Sequence, residues 1–243
     1  MRRWAAIWLL AIAACGGSGD GDREILVSAA ASLTDAFGQM EAAFEAVNPE
    51  IDVLLNFASS STLREQILEG APVDVYASAN TANMDLVIAA GGAEEDVTLV
   101  TNSLQIAVPE GNPGEIVGLE DFSNPDLLIG LCVAGVPCGE FGREALRRAG
   151  IVPEVDTEEP DVRALLTKIE SGELDAGITY VTDVQSSEAI EGIEIPREFN
   201  VVAEYPIAVL ANAPHPRQAE AFLKFVLSEE GRAILQGYGF GSP

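Results

Sequence analysis

Apolar runs alternate with amphipathic stretches from residue 25 onward. Ile25-Leu26-Val27 is a short apolar run that predicts a strand. Phe37, Met40, Phe44 and Val47 follow at helical spacing, and Asn48-Pro49 ends that pattern. Ile51 to Phe57 predicts a second strand, and Leu63 to Glu69 a second helix broken by Gly70-Ala71-Pro72. Val73 to Ala77 predicts a third strand, and Asn83 to Ala90 a helix closed by Gly91-Gly92. Alternation of this kind predicts a parallel, doubly wound α/β sheet. Ser32 with Asp35, and Thr62 with Glu65, have capping-box spacing, which places helix starts at Ser32 and Thr62.

A second block repeats the theme. Leu104 to Val108, Leu127 to Val133 and Gly177 to Val181 predict strands, and Leu119 to Phe122 one helical turn. Glu140 to Ala149, capped by Gly150, predicts a helix. So does Asp161 to Glu170, in which Val162, Leu165, Leu166 and Ile169 share a face. The block reads as a second α/β lobe. The chain then returns through an apolar stretch, Val201 to Leu210, interrupted by Glu204 and Pro206. Two helices follow, Gln218 to Leu227 and Glu229 to Leu235, the second capped by Ser228.

Ligands of doubly wound sheets sit beyond the C-terminal strand ends, where helices begin. Ser32 and Ser60 both fall at that edge. The first turn of a helix leaves N–H groups unpaired and carries partial positive charge. The stretch Asn56 to Leu63, with three serines and a threonine before a helix, is therefore a seat for a small anion. The alternative is a serine-rich connection that only caps its helix.

Composition narrows the partners. The chain carries 39 acidic and 13 basic residues, a net charge of −26, which disfavours nucleic acid and anionic lipid surfaces. A buried anion site is still allowed, because oriented dipoles act locally while exposed charges are screened. Arg2 and Arg3 precede an apolar segment, Trp4 to Ala14, too short to span a bilayer. It ends in Ile12-Ala13-Ala14-Cys15, which resembles a bacterial lipobox with Cys15 as the lipidated residue. Residues 1–14 thus predict a signal peptide, and residues 15–23 a flexible tether rich in glycine. An ordinary secretory signal with an incidental Cys15 is the alternative. Export makes a Cys132–Cys138 disulfide the favoured reading over two buried thiols or half a metal site.

Catalytic chemistry has little to work with. His215, the single histidine, lies between two prolines and reads as an exposed turn residue rather than a general base. No nucleophile elbow, phosphate-binding Gly-Lys-Ser/Thr loop or His-x-x-His pattern occurs in the sequence. Arg64, Arg143 and Arg163 are expected at the surface or behind the site.

Four segments carry a resemblance: Ala29 to Thr34, Phe57 to Leu63, Gly70 to Asp74, and Glu204 to Val209. Together they resemble the periplasmic molybdate-binding proteins of ABC importers. The resemblance implies a type II periplasmic binding protein fold, with two doubly wound α/β lobes joined by two crossover segments. Residues 24–103 with 198–243 would form one lobe and residues 104–197 the other. It implies no enzyme and no cofactor. The ligand would be molybdate or tungstate, with sulfate or thiosulfate as the alternative. The partner would be an ABC permease, served by a monomeric receptor outside the cytoplasm. It carries the ligand contacts onto Ser32, Ser60, Cys138, Val162 and Tyr180. Molybdenum would be bound as its oxyanion, with no side chain as a direct metal ligand. Cys138 departs from the alanine expected there, and only its main chain needs to donate.

Overall fold

The computed structural model describes residues 24–243. The predicted signal segment, the predicted lipidation site at Cys15 and the predicted tether lie outside the described residues. Among those described, no helix is long and apolar enough to cross a membrane. The first half runs β1 (Glu24–Ala30), a 3-10 turn (Ala31–Leu33), α1 (Thr34–Val47), β2 (Asp52–Ala58), α2 (Ser60–Leu68), β3 (Val75–Ala77) and α3 (Thr81–Ala89). The long β4 (Val97–Pro109) leads to a 3-10 turn (Leu119–Ser123), β5 (Ile129–Cys132), α4 (Pro137–Ala149), β6 (Thr157–Glu159), α5 (Val162–Glu170), β7 (Ala176–Tyr180), α6 (Val181–Gln185) and β8 (Ile190–Glu194). β9 (Val202–Val209), α7 (Pro216–Val226) and α8 (Glu229–Gly237) complete the chain.

The strands join in the order β2-β1-β3-β9-β4-β7-β5-β6, with β8 beside β4. The predicted parallel cores are present: β1 runs parallel to β2 and β3, and β5 parallel to β6 and β7. Between them lie two antiparallel strands. β4 pairs with β9 along Val97 to Ser103, and with β7 and β8 from Leu104 onward. One strand thus serves both halves, and the pattern that predicted only Leu104 to Val108 captured its second part. Thr98, Thr101, Asn102 and Ser103 hid the first. Pro206 is tolerated inside β9 because its partner, Thr98, sits where the ladder shifts register. There a missing N–H costs no bond.

Helix packing follows the apolar faces. Ala36, Phe37, Met40 and Phe44 of α1 are buried. Phe44 meets Phe222 of α7 edge to face, with ring centroids 5.3 Å apart, and Phe37 meets the same ring at 6.2 Å. Both predicted capping boxes are displaced. α1 starts at Thr34, not Ser32, and Ser32 falls within the 3-10 turn instead. α2 starts at Ser60, and its cap is Ser59, whose hydroxyl accepts from the Thr62 N–H at 3.2 Å. Thr62 is therefore inside the first turn, where its hydroxyl bonds Ser59 at 2.8 Å.

His215 is likewise not a free turn residue. It is the residue before α7, half-buried, and its N–H donates to Asp74 Oδ1 at 2.7 Å. Asp74 is 1% exposed, and its other oxygen accepts from the Leu26 N–H at 2.9 Å. One carboxylate thus ties β1 to the start of α7. Asp74→Ala strands both N–H groups in the interior. It is expected to lower unfolding free energy by about 3 kcal/mol, measured by urea denaturation; a loss below about 1 kcal/mol contradicts this role.

Candidate functional site

The C-terminal ends of β1, β2, β5 and β7 open onto one cleft. Ser32, Ser60, Cys138, Val162 and Tyr180 all line it, together with Ala30, Ala31, Ser59, Ala79, Pro137 and Asp161. Its volume is about 20 Å³. The space suits a small compact guest.

The polar character of the cleft comes from helix starts. α2, α4 and α5 begin at it, with Ser60, Pro137 and Val162 as their first residues. First-turn N–H groups have no partner within a helix and aim outward along its axis. The caps take some and leave others. Ser59 accepts from Thr62, while Asp161 Oδ1 accepts from Arg163 and Ala164, each at 3.0 Å. Neither cap takes the N–H of Ser60 or Val162. Pro137 at the first position of α4 has no N–H, so the next donor there is Cys138. Cys138 is held by a disulfide to Cys132, at the end of β5. Gly139 lets α4 approach that strand end, since any side chain there would collide with the Val133 carbonyl.

Three hydroxyls add to these donors. Ser60, 1% exposed, accepts from the Ala79 N–H at 2.9 Å. Its oxygen is thereby occupied on one side, which leaves its own proton able to turn to the cleft. Ser32 Oγ lies 2.8 Å from the Tyr205 hydroxyl. Tyr180 is 1% exposed, and its hydroxyl, beside that of Tyr205, makes no well-formed hydrogen bond among the described residues. An orphaned buried hydroxyl costs about 1–3 kcal/mol, which an acceptor in the cleft would recover. Burial pushes the Tyr180 phenol well above its ordinary range and Tyr205 upward likewise, so both stay protonated.

Among the described residues, no lysine or arginine lines the cleft. Arg64 bonds Asn83 Oδ1 at 2.7 Å, and Arg143 bonds the Gly139 carbonyl at 3.2 Å and pairs with Glu158. Arg163 pairs with Asp35 at 2.8 Å, joining α5 to α1 across the cleft. Asn80 donates to Glu140 at 3.4 Å on another side. His215 is not among the lining residues. Among the described residues no group of three or more histidine, cysteine or carboxylate side chains can hold a metal ion. The donors are neutral, and Asp161, the charged residue among the lining, is engaged as the cap of α5; the arrangement suits a guest that presents only acceptors.

Sequence reasoning gave no role to Tyr205, Asn102 or Thr182, which support the cleft from behind. Asn102 donates to Thr182 Oγ1 at 2.9 Å and to Tyr205 at 3.4 Å. The segment around Tyr205 stood out as a motif, but only the strand pairing of β4 with β9 brings Asn102 to it.

Asp183 is also behind the cleft. It accepts from the Tyr180 N–H at 3.0 Å, yet its second oxygen is buried without a hydrogen-bond partner among the described residues. Burial pushes its pKa from 3.8 up to about 7, against the pull of the Tyr180 N–H and Arg163. The folded protein therefore holds a proton that the unfolded chain releases. The stability this gives is complete below pH 3.8 and is lost as pH rises through about 7. Asp183→Asn keeps the acceptor and removes the titration. The melting temperature of this variant relative to wild type is expected to rise between pH 5 and pH 8; an unchanged difference contradicts the burial account.

Comparison with known proteins agrees with this architecture. A family described as bacterial extracellular solute-binding protein matches residues 25–241. The molybdate-binding protein ModA of Mycobacterium tuberculosis is 37% identical over 250 residues, covering 98% of this chain and 96% of its own. The substrate-binding domain of a putative molybdenum ABC transporter from Clostridium difficile superposes with a TM-score of 0.68 at 25% identity, covering 90% of this chain and 99% of its own. The sulfate-binding protein SubI of Mycobacterium tuberculosis shares the fold, with a TM-score of 0.80 at 16% identity over 90% of this chain and 86% of its own. With its two α/β halves, its shared central strands and a match over nearly its whole length, the chain belongs to the bacterial extracellular solute-binding protein family.

Proposed function

We propose that the protein captures molybdate, and tungstate as a near-isosteric ion, and delivers it to an ABC permease. The observation that carries this reading is the convergence of three helix starts and three hydroxyls, without a cation, on a cleft of about 20 Å³. The relative of 37% identity named as molybdate-binding supports the choice of ion. Ser32, Ser60 and Tyr180 would donate through hydroxyls, and Cys138 and Val162 through the main chain.

Charge-assisted hydrogen bonds contribute about 1.5–3 kcal/mol each. Five of them, less desolvation and ordering costs, reach the roughly 8–12 kcal/mol of micromolar to nanomolar binding. Neutral donors also discriminate. A protonated anion would set its own O–H against a donor and leave both unpaired. Within this reading residues 24–103 and 198–243 form one lobe, and residues 104–197 the other. The open form takes the ion on Ser32 and Ser60, and closure brings Cys138, Val162 and Tyr180. The receptor acts as a monomer, a binding protein and not an enzyme, and Cys15 holds it to the outer face of the membrane through lipid.

A second reading, a receptor for sulfate or thiosulfate, draws on the fold shared with SubI. Calorimetry with molybdate, tungstate, sulfate and phosphate separates the two. Molybdate and tungstate are expected to bind tightly and the smaller ions weakly; sulfate bound as tightly as molybdate contradicts the proposal. Ser60→Ala is expected to weaken molybdate about 10- to 100-fold, and unchanged affinity would remove Ser60 from the contact set.

A further inference from the structure

We propose that Asn102 and Tyr205 are positioning residues whose hydrogen-bond relay commits the Ser32 hydroxyl to donating into the cleft, so that the site rejects an oxyanion carrying its own proton. The inference rests on the oxyanion reading of the cleft and deepens it.

The direction of the relay follows from groups that can only donate. The Ser103 N–H is one, and Asn102 Oδ1 accepts from it at 3.0 Å. The amide oxygen of Asn102 is thereby assigned, and its nitrogen faces Thr182 Oγ1 at 2.9 Å and Tyr205 at 3.4 Å. An amide nitrogen has protons and no lone pair to offer. The Tyr205 oxygen therefore receives a proton from Asn102; the neighbouring Tyr180 hydroxyl makes no hydrogen bond in this geometry, so the single proton of Tyr205 is left for Ser32 Oγ, 2.8 Å away. Ser32 accepts there, and its remaining proton points to the cleft it lines. Tyr205 is 0% exposed and Asn102 4%, so the relay is shielded from bulk water. In such surroundings a mispaired donor is costly.

Ser60 reaches the same state by a shorter route, since the Ala79 N–H occupies its oxygen. The two serines differ in what fixes them: a backbone amide for Ser60, a chain of two side chains for Ser32. Only the second can be removed by substitution without touching a residue of the cleft. A freed Ser32 hydroxyl can rotate and accept, and then an anion bearing a proton is no longer penalised there.

The test is a cycle of wild type, Ser32→Ala, Tyr205→Phe and the double variant, with affinities for molybdate and for inorganic phosphate measured by competition calorimetry at pH 8. At that pH phosphate is mostly a dianion that retains one proton, so its charge matches molybdate and its hydrogen-bonding does not. Tyr205→Phe is expected to weaken molybdate about fivefold and to cut the molybdate-to-phosphate affinity ratio about tenfold. The double variant should bind molybdate within about twofold of Ser32→Ala, because Tyr205 acts through Ser32. Asn102→Asp keeps the acceptor for Ser103 and removes the donors, so it should lower the same ratio. Its added charge acts on both dianions alike and cancels in the ratio. Should one of these variants fail to fold, the other decides. A purely structural role weakens both ions in proportion and overturns the relay, as do losses that simply add. Wild-type protein that binds neither ion overturns the oxyanion reading and the relay with it. Molybdate binding by wild type, with selectivity intact in both Tyr205→Phe and Asn102→Asp, overturns the relay alone.

Discussion

A helix N–H in its first turn has to find an acceptor outside the helix, and this protein aims three such turns at one small space. The starts of α2, α4 and α5 meet where the strand ends of both halves come together. Each brings partial positive charge without a mobile side chain. Fixed dipoles need no reorganisation when an anion arrives, and in the proposed site they would hold it inside a chain of net charge −26. A lysine in the same place would attract any anion, protonated or not. With neutral donors, the count and direction of protons would be the basis of choice.

That arrangement requires close approach, and small residues supply it. Ala30, Ala31 and Ala79 line the cleft, and Gly139 lets α4 settle onto the end of β5. The Cys132–Cys138 disulfide adds a covalent tie at the same junction. By the loop-entropy argument so short a ring contributes about 2 kcal/mol. Its more direct consequence is that the Cys138 N–H is fixed relative to the strand beneath it. Two contacts then span the cleft from half to half, Arg163 with Asp35 and Asn80 with Glu140. Both are partly exposed or long, so each is a modest latch beside the donors themselves.

Much of this was legible in the chain, for reasons that differ by element. Helices with a clear apolar stripe, such as Val162, Leu165, Leu166 and Ile169 in α5, were readable because burial follows a 3.6-residue period. Their starts were less so. Ser32 has the spacing of a capping box, but its hydroxyl bonds Tyr205, 173 residues away in sequence. Thr62 has the same spacing, yet Ser59 supplies the cap. Local pattern cannot weigh a local bond against a distant one. The first half of β4 was hidden because Thr101, Asn102 and Ser103 look like a loop; pairing with β9 makes them a strand. That pairing also creates the group behind Ser32, so the supporting residues stayed invisible while the cleft residues did not.

The most direct test of the account is a crystal structure of the protein grown with molybdate. The account predicts one tetrahedral ion in the cleft, with oxygens within hydrogen-bond distance of the Ser32, Ser60 and Tyr180 hydroxyls and of the first main-chain N–H of α5. A cleft left empty at saturating molybdate, or an ion held instead by arginine or lysine side chains on the surface, would contradict it.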